Sequence, residues 1–82
     1  MTTDDQLLHL IFQQINQVLI SSNRPVLSSI DLHHSLQSDL GLDSLELAEL
    51  TVRIDAETGV DVFKEGVVRT VGEVVDRLRR CS

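Results

Sequence analysis

The sequence predicts a small all-α domain, and three observations support that prediction. The chain has 82 residues, which is too short for two hydrophobic cores. Apolar residues make up 41% of the chain, yet Phe12 and Phe63 are its only aromatic residues, so Leu, Ile and Val must build the core. These residues recur at helical spacing, and the periodic stretches carry helix-end signals. We therefore expect residues 1–82 to form one domain of packed helices.

The first helix is predicted over residues 4–20. Thr3 is a suitable N-cap, and Gln6 stands three residues later, as in a capping box. We expect Pro25 to end the helix, because proline restricts the residue before it and cannot donate a backbone hydrogen bond. The buried stripe of this helix is predicted to contain Leu7, Leu8, Ile11, Ile15, Val18 and Leu19.

Two further helices follow a long connection over about residues 21–42. One is predicted over 44–58, with Asp43 as N-cap, Glu46 as its capping-box partner and Gly59 as a left-handed C-terminal stop. The other is predicted over 70–80, with Thr70 as N-cap and Glu73 as its partner. A short helical turn is predicted over 62–66. The apolar residues expected to anchor the long connection to the core are Ile30, Leu32, Leu36 and Leu40.

The charge distribution excludes several classes of protein. The net charge is −6, and residues 31–65 hold nine of the thirteen acids but only two of the seven bases. A nucleic-acid-binding protein needs a basic surface, so this distribution argues against that class. The single cysteine, Cys81, cannot build a disulfide framework within the chain. No apolar run approaches the roughly 20 residues that span a bilayer, and the start does not resemble a signal peptide. We expect a cytoplasmic protein without a membrane span.

The segment Asp39-Leu40-Gly41-Leu42-Asp43-Ser44-Leu45 resembles the phosphopantetheine attachment site of acyl and peptidyl carrier proteins. The tripeptide at residues 43–45 alone is expected by chance in roughly a few per cent of chains of this length. Requiring the tripeptide at residues 39–41 just upstream lowers that chance to about one in a hundred thousand. The resemblance extends from the first helix to about Leu78. Because Met1 stands just before the first helix, we expect a discrete carrier protein.

The resemblance implies a small four-helix bundle in which Ser44 carries 4′-phosphopantetheine, flanked by Asp43 and Leu45. A separate Mg²⁺-dependent transferase would take this group from coenzyme A, and its thiol would hold acyl groups as thioesters. Such a protein is a carrier and not an enzyme. A helix N-terminus suits the phosphate because its free N–H groups and dipole favour an anion. We expect Leu45 to hold the turn against the bundle.

The resemblance also implies a docking face on the second helix. Its members are predicted to be Asp43, Glu46, Glu49 and Asp55, with Val52 as an apolar spot. The partners implied are the phosphopantetheinyl transferase and the acyl-loading, ketosynthase or other biosynthetic enzymes, which would present basic patches. Exposed charges of this kind would set the approach rate and register more than the final affinity. A solvated helix face without a partner is the alternative.

Other interpretations remain open at the level of sequence. The pathway could be fatty-acid, polyketide or related specialised biosynthesis, or the chain could be a peptidyl or aryl carrier of a nonribosomal pathway. A protein of another class, a carrier-like interaction module that is never modified, would keep the fold without the cofactor. No metal site is expected, because His33 and His34 are adjacent and have no acid or cysteine at ligand spacing. We expect a monomer.

Overall fold

Three helices form the regular structure: α1 spans Asp4–Ser21, α2 spans Ser44–Thr58 and α3 spans Val71–Cys81. The computed structural model describes residues 4–64, 66 and 68–81, and no strand occurs among them. The predicted helices agree with these bounds to within one residue at each end, which confirms the all-α fold. The predicted N-cap of α1, Thr3, lies outside the described residues.

The helices are organised around α1, which packs against both α2 and α3, whereas direct contact between α2 and α3 is slight. The segments between helices supply the remaining apolar contacts. Each helix buries an apolar stripe, as the 3.6-residue periodicity predicts. The buried core contains Leu7, Ile11, Ile15, Val18, Leu19, Leu36, Leu40, Leu42, Leu50, Ile54, Val62, Val68, Val71, Val74, Val75 and Leu78.

The end of α1 differs from the prediction, because Asn23 and not Pro25 stops the helix. Asn23 adopts a left-handed conformation with φ of 59°. The Arg24 N–H donates to the Leu19 carbonyl at 2.8 Å, and the Asn23 N–H donates to the Ile20 carbonyl at 3.0 Å. This pair of bonds is a Schellman motif, which Asn can close because it tolerates the left-handed region. The chain therefore turns sharply at the end of α1, and Arg24 lies just beyond that turn.

The long connection is held to the rest of the molecule partly by its backbone. Leu36 and Leu40 are buried and Ile30 packs against the core, as predicted. The prediction for Leu32 is wrong, because its side chain is exposed. Its carbonyl instead accepts the Gly72 N–H at 2.8 Å. The connection thus supplies an acceptor for a free donor at the first turn of α3.

Two turn-type backbone hydrogen bonds lie in the segment between α2 and α3, where the sequence predicted a short helical turn over 62–66. The Lys64 N–H donates to the Asp61 carbonyl at 3.2 Å, and the Gly66 N–H donates to the Phe63 carbonyl at 3.1 Å. Residues 65 and 67 of this segment lie outside the described residues. Arg77 of α3 donates to the carbonyls of Val62 at 2.8 Å and Gly66 at 3.3 Å. The segment is therefore tied to α3 through these hydrogen bonds.

Within the described parts of the chain, no helix has the length and apolar character needed to cross a membrane.

Candidate functional site

Ser44 is the first residue of α2, and its side chain is exposed. The residue before it, Asp43, has extended backbone angles, φ −88° and ψ 179°, as expected of an N-cap. Two residues further back, Gly41 has φ of +75°, a left-handed conformation that a glycine adopts without strain. The chain therefore turns at Gly41 and enters α2 with the Ser44 hydroxyl at the helix N-terminus.

A reciprocal capping box fixes the start of α2, as the sequence predicted. The Glu46 N–H donates to Asp43 Oδ1 at 2.8 Å, and the Asp43 N–H donates to Glu46 Oε1 at 3.0 Å. The two bonds join the residues on either side of Ser44 in the chain, since Ser44 lies between Asp43 and Glu46. The Asp43 carboxylate also lies at the positive end of the helix dipole. The backbone that carries Ser44 is thus held by side chains on both sides of it.

Glu46 is buried, so the prediction that it belongs to an exposed acidic face is wrong. Only 3% of its surface is exposed. The Arg24 guanidinium donates through Nη1 to Glu46 Oε1, the same oxygen that accepts the Asp43 N–H. The other oxygen, Oε2, is buried and has no hydrogen-bond partner among the described residues. Glu46 is therefore a structural residue of the turn, paired with a cation from the other end of the long connection.

The remaining predicted acids do not form one continuous charged face. Glu49 is half-buried, and its Oε2 accepts a hydrogen bond from Arg53 Nε at 3.0 Å. Arg53 also donates through Nη2 to Ser21 Oγ at 3.2 Å. Asp55 is exposed and Asp43 is exposed but engaged in the cap. Much of the predicted negative charge beside Ser44 is thus neutralised within the molecule.

The exposed face of α2 next to Ser44 is largely apolar. Leu45 is 79% exposed and Val52 is 68% exposed, and Ala48 and Ala56 are exposed as well. At 100° per residue these positions and Ser44 fall within an arc of about 120°. We call Leu45, Ala48, Val52 and Ala56 the apolar stripe. The prediction for Val52 as an exposed apolar spot is confirmed, whereas the prediction that Leu45 packs against the bundle is wrong.

The helical period could have revealed the stripe in the sequence. Once Leu50 and Ile54 are assigned to the core, the 100° rotation per residue places Leu45, Ala48 and Val52 on the opposite side of the helix. The same rotation directs Glu46 toward the core. No sequence signal indicates Arg24, because it stands 22 residues before its partner and its position depends on the turn at the end of α1.

The two adjacent histidines belong to the turn of the long connection. Their ring centroids lie 4.8 Å apart, and the His34 Nδ1 accepts the Asp31 N–H at 2.9 Å. His33 Nδ1 lies 3.7 Å from Asp31 Oδ2. In the described part of the chain, no three His, Cys, Asp or Glu residues are grouped so that they could hold a metal ion.

The residues around Ser44 leave room for a bulky phosphorylated group. Asp43, Ser44 and Leu45 are all exposed, so a group on the Ser44 hydroxyl extends into solvent without displacing core atoms. The N-terminal end of α2 also offers a favourable dipole for a phosphodiester. A helical bundle that presents an exposed serine at a capped helix N-terminus fits the class of small carrier proteins.

Comparison with known proteins defines the family. Residues 22–78 match the model of the phosphopantetheine attachment site family, and the chain belongs to that family. An acyl carrier protein from Saccharopolyspora erythraea is 35% identical over 68 residues, covering 80% of this chain and 72% of that protein. The solution structure of an acyl carrier protein from Pseudomonas fluorescens, involved in mupirocin biosynthesis, has a TM-score of 0.74 and 32% identity. That match covers 90% of this chain and 68% of the neighbour.

The family assignment confirms the resemblance that the motif around Ser44 predicted. The chain is of the acyl carrier type, whose cofactor is phosphopantetheine, and proteins of this type are carriers and not catalysts.

Proposed function

We propose that residues 1–82 act as one carrier domain and that Ser44 is the attachment residue for 4′-phosphopantetheine. The observation that carries this proposal is the exposed Ser44 hydroxyl at the first residue of α2, beside a complete capping box. The family match supports it, because it spans the motif that contains Ser44. Asp43 and Leu45 flank the hydroxyl as the other members of the attachment motif.

The carrier positions the Ser44 hydroxyl but does not supply a base that activates it. Asp43 engages the Glu46 N–H and serves the cap, so it is poorly placed to remove the Ser44 proton. The base is therefore expected from a separate phosphopantetheinyl transferase, which takes the group from coenzyme A. When bound, the group supplies a thiol at the end of a flexible arm, where an acyl cargo is held. The α2 N-terminus stabilises the attached phosphodiester through its dipole.

We infer that partner enzymes dock on the apolar stripe, with acids along its borders. Leu45 and Val52 provide exposed apolar area beside Ser44, and Asp43 and Asp55 provide negative charge near it. Glu49 contributes less charge than the sequence predicted, because Arg53 neutralises it. A partner of matching chemistry has an apolar depression bordered by basic groups. The partners that we expect to carry such a surface are the transferase and the biosynthetic enzymes that load, modify or unload the cargo.

The pathway is proposed to be polyketide or related specialised biosynthesis. The support is the likeness in sequence and fold to the Pseudomonas fluorescens carrier involved in mupirocin biosynthesis. Loading experiments test this pathway against a fatty-acid pathway and a peptidyl carrier. These compare acyl-transferring and amino-acid-adenylating enzymes on the modified protein.

The attachment proposal is tested by intact mass measurement. The purified protein is incubated with coenzyme A, Mg²⁺ and a broad-specificity phosphopantetheinyl transferase, alongside Ser44→Ala and the control Ser29→Ala, which alters another exposed serine. We expect one phosphopantetheinyl group on the parent and on Ser29→Ala, and none on Ser44→Ala. An unmodified parent that is folded and initially free of the group, with more than one transferase, would instead support an unmodified interaction module.

The docking proposal is tested by the kinetics of the same modification. Leu45→Ala should raise the KM for the carrier about tenfold with little change in kcat, because it removes apolar contact area that is already exposed in the free protein. Leu32→Ala in the long connection is the matched control, since it also shortens an exposed leucine. A KM unchanged by Leu45→Ala would place the docking surface elsewhere.

A further inference from the structure

Arg24 connects three parts of the molecule that lie far apart in the sequence. Its backbone N–H donates to the Leu19 carbonyl at the end of α1. Its side chain donates through Nη1 to Glu46 Oε1 in the first turn of α2. Its Nη2 lies 3.0 Å from the point at which a Cβ on Gly41 would stand. The guanidinium therefore lies over the turn that leads into α2.

Burial makes the Arg24–Glu46 pair different from the other ion pairs. The Glu46 side chain is 4% exposed and that of Arg24 is 38% exposed, whereas the Arg79–Asp4 and Arg80–Asp76 pairs are exposed on both sides. A carboxylate removed from water requires a compensating partner, since loss of that partner leaves an unpaired buried charge. Because Glu46 Oε2 has no described partner, Arg24 is the main compensation for this charge.

The contacts of this pair restrain the backbone next to Ser44. Glu46 Oε1 accepts from both Arg24 and the Asp43 N–H, so the position of Arg24 is coupled to the residue before Ser44. The guanidinium also lies against Gly41. Ser44 follows Gly41 and Asp43 in the chain and precedes Glu46. Movement of Arg24 would therefore change the orientation of the backbone that presents the hydroxyl.

We propose that Arg24 and Glu46 act together as positioning residues, which hold Ser44 in the orientation required for transfer of the phosphopantetheinyl group. The proposal rests on the proposed function of Ser44 and adds a role for a residue outside the attachment motif. Neither side chain takes part in the transfer itself. Their effect is geometric, because a nucleophile displaced by about 1 Å can react about a hundredfold more slowly.

The kinetics of the carrier as a substrate separate positioning from folding and from docking. A variant that is partly unfolded lowers the concentration of competent carrier, which raises the apparent KM and leaves kcat unchanged. A variant with a weakened docking surface also raises KM. A folded variant with a misplaced Ser44 still docks through the apolar stripe, so its loss falls on kcat.

The experiment measures kcat and KM for modification of Arg24→Met, Arg24→Lys, Glu46→Gln and the double variant Arg24→Met/Glu46→Gln. Arg80→Met is the matched control, because it removes an arginine from an exposed pair on α3. All assays are run under conditions where far-ultraviolet circular dichroism shows each variant to be folded. Amide hydrogen exchange of Leu42 and Asp43 is measured on the unmodified proteins.

We expect Arg24→Met to lower kcat about tenfold with KM within about twofold of the parent, and Arg24→Lys to recover most of the loss because it retains the charge. The double variant should be no worse than the more impaired single variant, since the two residues act as a unit. Exchange of the hydrogen-bonded amides of Leu42 and Asp43 should increase in Arg24→Met while that of α3 stays unchanged. Arg80→Met should behave as the parent.

An unchanged kcat in folded Arg24→Met overturns the positioning role, and so does a lysine variant as impaired as the methionine variant. Unchanged exchange at Leu42 and Asp43 in Arg24→Met also overturns it. Failure of the proposed function would give a different result, because the parent protein itself would then accept no phosphopantetheinyl group. The exchange measurement would still show whether Arg24 restrains the turn before α2.

Discussion

Gly72 of α3 lies directly against the backbone carbonyl of Leu32. Its N–H donates to the Leu32 oxygen at 2.8 Å, and a Cβ on Gly72 would lie only 2.9 Å from the same oxygen. The first turn of α3 can therefore approach the long connection because residue 72 has no side chain. The glycine allows the carbonyl of Leu32 to cap the helix, and the cap joins two segments that are distant in the sequence.

Gly72→Ala is expected to destabilise the protein by about 1–2 kcal/mol, because the clash with backbone outweighs the roughly 1 kcal/mol by which alanine favours a helix over glycine. The free energy of unfolding in urea measures the effect. Gln17→Ala, at an exposed position of α1, is the control and should change stability little. A more stable Gly72→Ala protein would show that the long connection moves aside at little cost.

Truncation of Leu45 and of Leu50 on α2 should lower stability by very different amounts. Leu50 is buried in the core, so Leu50→Ala should cost about 3 kcal/mol of unfolding free energy. Leu45 is exposed, so Leu45→Ala should cost less than about 0.5 kcal/mol. Urea unfolding of the two variants makes the comparison on the same helix and the same chemical change. Comparable losses at both positions would mean that Leu45 packs in solution, contrary to its exposure.

Arg77→Met is expected to release the segment between α2 and α3. The substitution keeps the apolar stem but removes the donors to the carbonyls of Val62 and Gly66, at a cost of about 1–2 kcal/mol. Amide exchange at Lys64 and Gly66 should accelerate more than exchange in α1, because the loss is local. Arg80→Met serves as the control. Equal acceleration throughout the protein would show that Arg77 contributes only to global stability.

The ion pairs of Asp76 predict that the free energy of unfolding depends slightly on pH in the acid range. Its hydrogen bond from Arg79, assisted by Arg80, holds the pKa of Asp76 below its ordinary value of 3.8. A carboxyl whose pKa is lowered by folding stabilises the protein above the unfolded-state pKa, and this contribution is lost as the pH falls through the folded-state pKa. Asp76→Asn should therefore lower stability at neutral pH but have little effect well below 3.8.

Urea unfolding over this pH range is the measurement, and the difference between the parent and Asp76→Asn should shrink toward low pH. Arg79→Met removes the principal donor to Asp76, so the unfolding free energy of this variant should also depend less on pH in the acid range. The group is exposed, so the change is expected to be small. A difference between parent and variant that stays constant with pH would contradict the role of the ion pairs.

Periodicity and caps were sufficient for the helices and for most of the core. The buried positions Val71, Val74, Val75 and Leu78 of α3 follow from spacing alone, because an amphipathic helix has one face to bury. The capping box of α2 was also predictable, since it involves only residues three positions apart. The attachment motif at Ser44 was predictable for the same reason: all its members are adjacent in the chain.

The sequence by itself determined the all-α fold, the helix bounds and the serine that stands at the start of α2, because these depend on interactions over a few residues. Only the tertiary structure decided that Glu46 is paired with Arg24 and that Leu32 uses its carbonyl and not its side chain. Each of these depends on how distant segments meet. Local pattern assigns a residue to a helix face, but the neighbouring segments decide which part of that face is covered.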